Sequence, residues 1–227
     1  MVQAIARPPS QSQLVYDQLR AALRDGTFGG GELLTESDLS RQFGVSKTPV
    51  HEAMVRLASE GFVELLPQRG VRVVRLMPRD IEEIMEVREA LEAAVVRLAV
   101  ERLTDADLEF LDDQLQTCRE ALASGHYPTF KVADVAIHTR IAGASGNQRF
   151  VQLIRENRTW VQRIMTATVD YQILLPSRLP KSHEQHEELI AALHRRDPRA
   201  EDAVRRHISS LKEEILAYML ANGLNSI

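Results

Sequence analysis

Asp134 and His138 stand four residues apart in a segment of helical pattern, so a carboxylate and an imidazole project from one face. His186 and His207 fall in the last two helical segments of the chain. If those helices pack together, one carboxylate and three imidazoles converge. That donor set suits a divalent metal, zinc first, with nickel, cobalt or manganese as alternatives. The chain holds 7 histidines, and a helical histidine is more often solvated or hydrogen-bonded than a ligand, so spacing alone leaves both readings open. A bound metal with open positions could receive a small carboxylate or activate water for hydrolysis. For the second chemistry no general base is evident, although Glu184 and Glu187 flank His186. Arg88 is a candidate second anchor for a carboxylate, because a guanidinium grips one bidentately. Its alternative is a pair with Glu92 one turn on. The single cysteine, Cys118, reads as a packing residue and excludes an internal disulfide framework.

The elements that must position these residues are helices. From Pro78 on, the periodicity is helical throughout, and the spacing predicts six segments: about 80–103, 104–123, 129–144, 149–174, 182–195 and 198–221. The first carries an apolar stripe of Ile81, Ile84, Val87, Leu91, Ala94, Val95 and Leu98. Thr104 to Asp107 opens the second as a capping box, and Pro176 and Pro180 bracket a loop before the fifth. Six helices without a strand signal predict an all-α six-helix bundle over 78–227, and the chain as a whole is read as mainly α.

A different pattern precedes it. Residues 1–10 read as a disordered tail ending at Arg7-Pro8-Pro9-Ser10. A helix over 11–24 presents Leu14, Leu19, Ala22 and Leu23, and Gly29-Gly30-Gly31 then breaks the chain. In TESDLSRQFGVSKTPVHEAMVRLASEGFVELLPQRGVRVV (35–74), Thr35 caps a short helix faced by Leu39 and Phe43, and Gly44 ends it. Ser46 caps a second helix with Val50, Ala53, Met54 and Leu57 inside, which leaves Lys47, Thr48 and His51 exposed near its start. FVELL and VRVV flank Pro67-Gln68-Arg69-Gly70 as a two-stranded wing. Helix, turn, helix and wing over 11–77 make a winged helix-turn-helix, a form that sets the start of its second helix against DNA base edges.

Composition bounds the rest. At 227 residues, 44% hydrophobic and 26% charged, the chain has room for two ordinary domains of a soluble globular protein. It has no apolar run near the ~18 residues a membrane helix needs and no signal-peptide core, which predicts a cytoplasmic location and no membrane partner. The net charge of −4 argues against DNA until it is divided. Residues 1–78 hold nine Lys and Arg against eight Asp and Glu, so DNA affinity must come from clustering and dimerisation. Arg41, Lys47, Arg56, Arg69, Arg72 and Arg75 supply a cluster.

The segment GVSKTPVHEAMVRLASEGFV with its glycine-tipped wing resembles the winged helix of GntR-family bacterial transcription factors. Further on, D-x3-H followed by ASGN (134–147), H-x3-I (186–190), RRHI (205–208) and VREALE (87–92) resemble the FCD ligand-binding domain of the FadR subfamily. The short linker at Met77-Pro78 and six helices are more similar to its VanR-like branch. The resemblance implies a metal held by Asp134, His138, His186 and His207. His183 stands one turn from His186 and competes for its place, while His51, His126, His183 and His194 are read as non-ligands. It further implies an effector drawn from the small organic acids, with Arg88 beside it, and a homodimer on double-stranded operator DNA. Lys47, Thr48 and His51 would meet bases or phosphates, Ser37 and Ser46 phosphates, and Arg69 and Gly70 the minor groove. Lys47 and His51 depart from the arginines usual in the family, so bidentate guanine readout does not carry over. The implied function is a transcriptional regulator, a repressor in the first instance, and not an enzyme. A metal-dependent hydrolase and an architectural DNA-binding dimer without effector are the alternatives.

Overall fold

A computed structural model of the protein describes residues 8–168 and 175–227. The chain forms two compact units, Met1–Leu76 with Ser226–Ile227, and Met77–Asn225. The first contains α1 (Gln11–Arg24), β1 (Leu33–Leu34), α2 (Glu36–Phe43), α3 (Lys47–Ser59), β2 (Val63–Leu66) and β3 (Gly70–Val73). The second contains α4 (Pro78–Arg102), α5 (Asp105–Ser124), α6 (Tyr127–Ala144), α7 (Gln148–Thr168), α8 (Leu175–His194) and α9 (Ala200–Ala221). The fold class is therefore a small winged helix-turn-helix followed by an all-α unit.

In the first unit, α1 packs on α3 through Val15, Tyr16, Leu19 and Leu23, against Val50, Ala53, Met54 and Leu57. Leu14, expected inside, is 48% exposed, because Val15 and Tyr16 take that face. Tyr16 also explains a second departure. The Arg56 guanidinium lies 3.6 Å from its ring centroid and donates to Gln13, so Arg56 braces α1 on α3 and leaves the expected basic cluster. The wing has three strands, not two, in the order β1-β3-β2. β1 follows the glycine run and pairs Leu33 with Arg72 and Leu34 with Val71. Two residues are too few to show an alternating pattern, so no sequence signal marked it. Gly70 opens β3 at φ 104°, and a Cβ there would overlap the Leu34 carbonyl, so the strand pairing itself demands glycine.

Thr35 accepts from the Asp38 N–H at 3.1 Å, while Asp38 returns to the Thr35 hydroxyl at 2.7 Å. Ser46 occupies the N-cap of α3 but makes no capping bond. Its natural partner, the third residue of the helix, is Pro49, which has no N–H to offer.

In the second unit α4 is central, packing against α6, α7 and α9, while α5 lies on α6 and α8, and α8 on α9. The buried face of α4 follows the expected stripe only in part, with Ile81 and Val95 fully inside and Ile84, Leu91, Ala94 and Leu98 half-buried. Ile81, Met85, Arg88, Glu92, Ala93, Val95, Val96 and Ala99 are buried, whereas Val87 is 50% exposed. The face is turned because Arg88 and Glu92 point inward and neutralise each other at 2.7 Å. The box at Thr104 and Asp107 forms with both halves present. The end of the long helix expected over 149–174 lies outside the described residues beyond 168. The loop expected between Pro176 and Pro180 is instead the beginning of α8, with Pro180 inside the helix. Pro176 sits in the first turn, where N–H groups have no intrahelical acceptor, so of the two only Pro180 removes a helical bond. Among the described residues no helix is long and apolar enough to cross a membrane.

Candidate functional site

Four helices of the second unit bring together Asp134 and His138 from α6, His186 from α8 and His207 from α9, with α4 behind them. The ligand atoms that these four residues offer lie within 4.8 Å of one another. His138 Nε2 is 3.3 Å from His186 Nε2, and His186 Nε2 is 3.5 Å from Asp134 Oδ1. The three rings have centroids 4.5–5.3 Å apart. His186 is fully buried and His207 and His138 nearly so, while Asp134 keeps some exposure.

Two of the three rings are aimed by what holds their other nitrogen. Glu92 Oε2 lies 2.5 Å from His138 Nδ1, and Arg88 Nε donates to Glu92 Oε1 at 2.7 Å. Gln185 Oε1 lies 3.1 Å from His207 Nδ1. Carboxylate or amide support on the far nitrogen is the usual way a metal-binding imidazole is fixed in tautomer and direction. His186 Nδ1 is buried without a partner. Burial pushes the His186 imidazole down to about 3, with the charges of His138, Arg88 and Arg178 adding to it and Asp134 opposing. Burial likewise drives His207 well below the ordinary value. For Glu92, burial favours the neutral acid, but His138 and Arg88 outweigh it and hold the carboxyl well below its usual range. His186 and His207 are thus held as neutral imidazoles, with the Glu92 carboxylate ionised behind them.

These residues fit a divalent metal. Ligands about 2.0–2.1 Å from a tetrahedral ion are roughly 3.3 Å from each other, and the two measured edges of 3.3 and 3.5 Å match that spacing. The two imidazole nitrogens of His138 and His186 face each other at a distance that a hydrogen bond or a shared metal ion would fill.

The other histidines are engaged elsewhere. His183 Nε2 lies 3.4 Å from Glu187, His194 meets Asp112 at 3.0 Å, His126 meets Thr129 at 2.7 Å and His51 meets Glu36 at 2.7 Å. Arg88 pairs with Glu92, as the second of its two sequence readings had it, and its Nη2 lies 3.4 Å from His138 Nε2. Sequence reasoning missed Glu92 and Gln185 as ring supports. It also missed Arg178, a buried guanidinium on α8 beside the His207 carbonyl. Glu92 and Gln185 carried a signal, a charge inside a helical stripe and an amide next to a ligand; Arg178 was hidden by the two prolines. Cys118 is buried, and burial pushes its thiol up to about 12, in keeping with a packing role.

The candidate nucleic-acid interface is the start of α3 and the wing. Lys47, Thr48 and His51 are exposed on α3, as are Ser46 before it and Ser37 on α2. Among the described hydrogen bonds the N–H groups of Lys47 and Thr48 have no acceptor, and the helix dipole makes that end attractive to phosphate. The bond from Glu36 to His51 crosses the helix-turn-helix and occupies one ring nitrogen. Arg69 is exposed at the wing tip, whereas Gly70 is half-buried against Leu34.

Residues 11–73 match the model of the bacterial regulatory proteins of the gntR family, and residues 83–210 match the FCD domain. An HTH-type transcriptional regulator from the TAR-I ttuE-ttuC' intergenic region of Agrobacterium vitis is 38% identical over 136 residues, covering 57% of this chain and 78% of that protein. The HTH-type transcriptional repressor RspR of Escherichia coli is 27% identical over 205 residues, covering 90% of this chain and 88% of its own. Among solved structures, McbR/YncC of E. coli superposes with a TM-score of 0.75 at 25% identity, over 95% of this chain and 99% of that one. These relatives are transcriptional regulators, not enzymes, which sets aside the hydrolase alternative. With its winged helix and its FCD unit both matched, the chain belongs to the GntR family of bacterial transcriptional regulators.

Proposed function

We propose that the protein is a metal-dependent sensor of a small carboxylate that represses transcription as a homodimer on operator DNA in the cytoplasm. The observation that carries this reading is the cluster of Asp134, His138, His186 and His207, whose spacing fits one divalent ion. Zinc suits three imidazoles and a carboxylate best, with nickel, cobalt or manganese as substitutes. Four protein ligands fill a tetrahedral shell, so a carboxylate would enter by expansion of the ion to five or six coordination, and Arg88 stands beside that position at His138. The effector regulates only if its affinity differs between DNA-competent and incompetent states. The match to the FCD domain and the likeness to the transcriptional repressor RspR support the reading.

A thermal-shift panel of small carboxylates on the metal-loaded protein tests it. At least one acid should raise the melting temperature of the wild type and leave His138→Ala unmoved. An equal rise in both would put the effector elsewhere. No rise with any acid, in a protein that still binds operator, would favour the architectural dimer.

For the DNA end, Lys47→Ala should weaken binding to a duplex selected from a random library by roughly 1–3 kcal/mol at fixed salt. Fluorescence anisotropy reads the loss, and unchanged affinity would remove Lys47 from the interface. His51→Ala is the informative companion, because its Glu36 contact at 2.7 Å makes it a brace of the helix pair as well as a candidate contact.

A further inference from the structure

Arg178 is a buried cation that metal binding does not use. Its side chain is 3% exposed, yet every contact it makes is long: 3.4 Å to Ser210 Oγ, 3.5 Å to the His207 carbonyl and 3.6 Å to Glu214 Oε1. Guanidinium bonds to carboxylates ordinarily close to about 2.7–2.9 Å. Glu214 is nearer to Lys181, at 2.5 Å, and also accepts from Ser210. Among the described residues Arg178 is therefore held only by long contacts. A tie between α8 and α9 would be expected to close these bonds.

Its position relative to the cluster is informative. Arg178 stands at the backbone of His207, and Arg88 at the ring of His138, with those two rings 5.3 Å apart. The charges of Asp134 and Arg88 reach Arg178, and the charge of Arg178 reaches His186 and His207. Charges around the cluster do not cancel once a divalent ion is present. Arg88 is balanced by Glu92, and one carboxylate, Glu214, serves both Lys181 and Arg178. Asp134 offsets one of the ion's two charges, and the imidazoles are neutral ligands. One positive charge is left at the metal and one at Arg178.

We infer that the effector is a dicarboxylate, with one carboxylate taken at the metal beside Arg88 and the second taken by Arg178. The inference rests on the carboxylate-sensor reading above and names the substrate class of that same site. A bridging dianion removes both residual charges and the repulsion between the two guanidinia. A monocarboxylate leaves Arg178 buried with only a long contact to a Glu214 that it shares with Lys181. Arg178 is thus a specificity-determining residue, and its effect falls on the choice between acids and not on retention of the metal.

The test is calorimetric titration of the metal-loaded full chain with succinate and with butyrate, which has the same four carbons, and with malonate and glutarate to vary length. Wild type should bind the best dicarboxylate roughly 10–100-fold more tightly than butyrate, as one charged hydrogen-bonded contact would give. In Arg178→Gln that ratio should fall close to one, with butyrate affinity and metal content unchanged, and Arg178→Lys should restore part of it. A wild-type ratio near one for all three diacids, with butyrate bound, overturns the dicarboxylate assignment and leaves the carboxylate at the metal standing. A preference that survives in Arg178→Gln also overturns it. Failure of every acid to bind protein holding one metal per chain sinks this inference and the sensor reading together. Should Arg178→Gln not fold, the wild-type ratio and Arg178→Lys decide.

Discussion

Replacing His186 with alanine is expected to empty the metal centre. Four-ligand zinc sites supply roughly 10–16 kcal/mol, so one ligand of four accounts for about 2.5–4 kcal/mol. At about 1.4 kcal/mol per decade, affinity falls roughly 60–700-fold. His186 is chosen because its Nε2 faces both His138 and Asp134. Glu92→Gln is the graded control. It leaves all four ligands but weakens the hold on the His138 ring, and such supporting changes cost about 10–100-fold. Competition against a chelator, with metal content by mass spectrometry, separates the two. A wild-type protein that retains no divalent ion after loading would dismiss the centre outright.

Acid should unfold the metal-free protein far sooner than the loaded one. In the folded chain His186 is pushed down to about 3 and His207 is also strongly lowered, both by burial. In the unfolded chain both return to about 6.5. Below that value the unfolded state takes up protons that the folded state refuses. The stability contributed by these rings is therefore fully present above about pH 6.5 and lost as pH falls toward 3. The slope is about 1.4 kcal/mol per pH unit for each ring, so roughly 3 kcal/mol per unit while both are involved. Glu92, whose carboxyl is held low by His138 and Arg88, adds its own loss at the acid end of that window. A bound ion competes with the protons and delays the fall. Denaturant titrations at pH 7.5 and pH 5 on the two forms test this. Equal stability of metal-free protein at both values would contradict it.

The parts of the fold that were legible have local causes. Glycine at φ 65° ends α2 at Gly44, a Thr–Asp box starts α5, and the spacing of Val50, Ala53, Met54 and Leu57 identifies the buried side of α3. The residues of the four-membered cluster were legible through the pairing of Asp134 with His138 on one turn and through the resemblance around His186 and His207. What was not legible depends on partners distant in sequence. The face of α4 could be read only in part because a charged pair, Arg88 with Glu92, becomes tolerable inside only when His138 arrives from α6. β1 exists because β3 has a free edge beside it. The start of α8 was misread because Pro176 and Pro180 look like breakers, whereas one of them falls in a helix's first turn, where no bond is lost. Arg178 went unnoticed with that segment.

The burial of His186 bears finally on time. A ligand with no exposed surface, drawn from a helix that packs against two others, cannot step aside for an incoming chelator while the bundle is closed. Exchange of an ion held there waits on local opening of α8, a slow event governed by the stability of the bundle itself. Asp134, more than a quarter exposed, offers the only comparatively open approach among the four ligands. On the timescale of a changing metabolite supply the ion would then be a fixture of the fold, and the acid that meets it the quantity that varies.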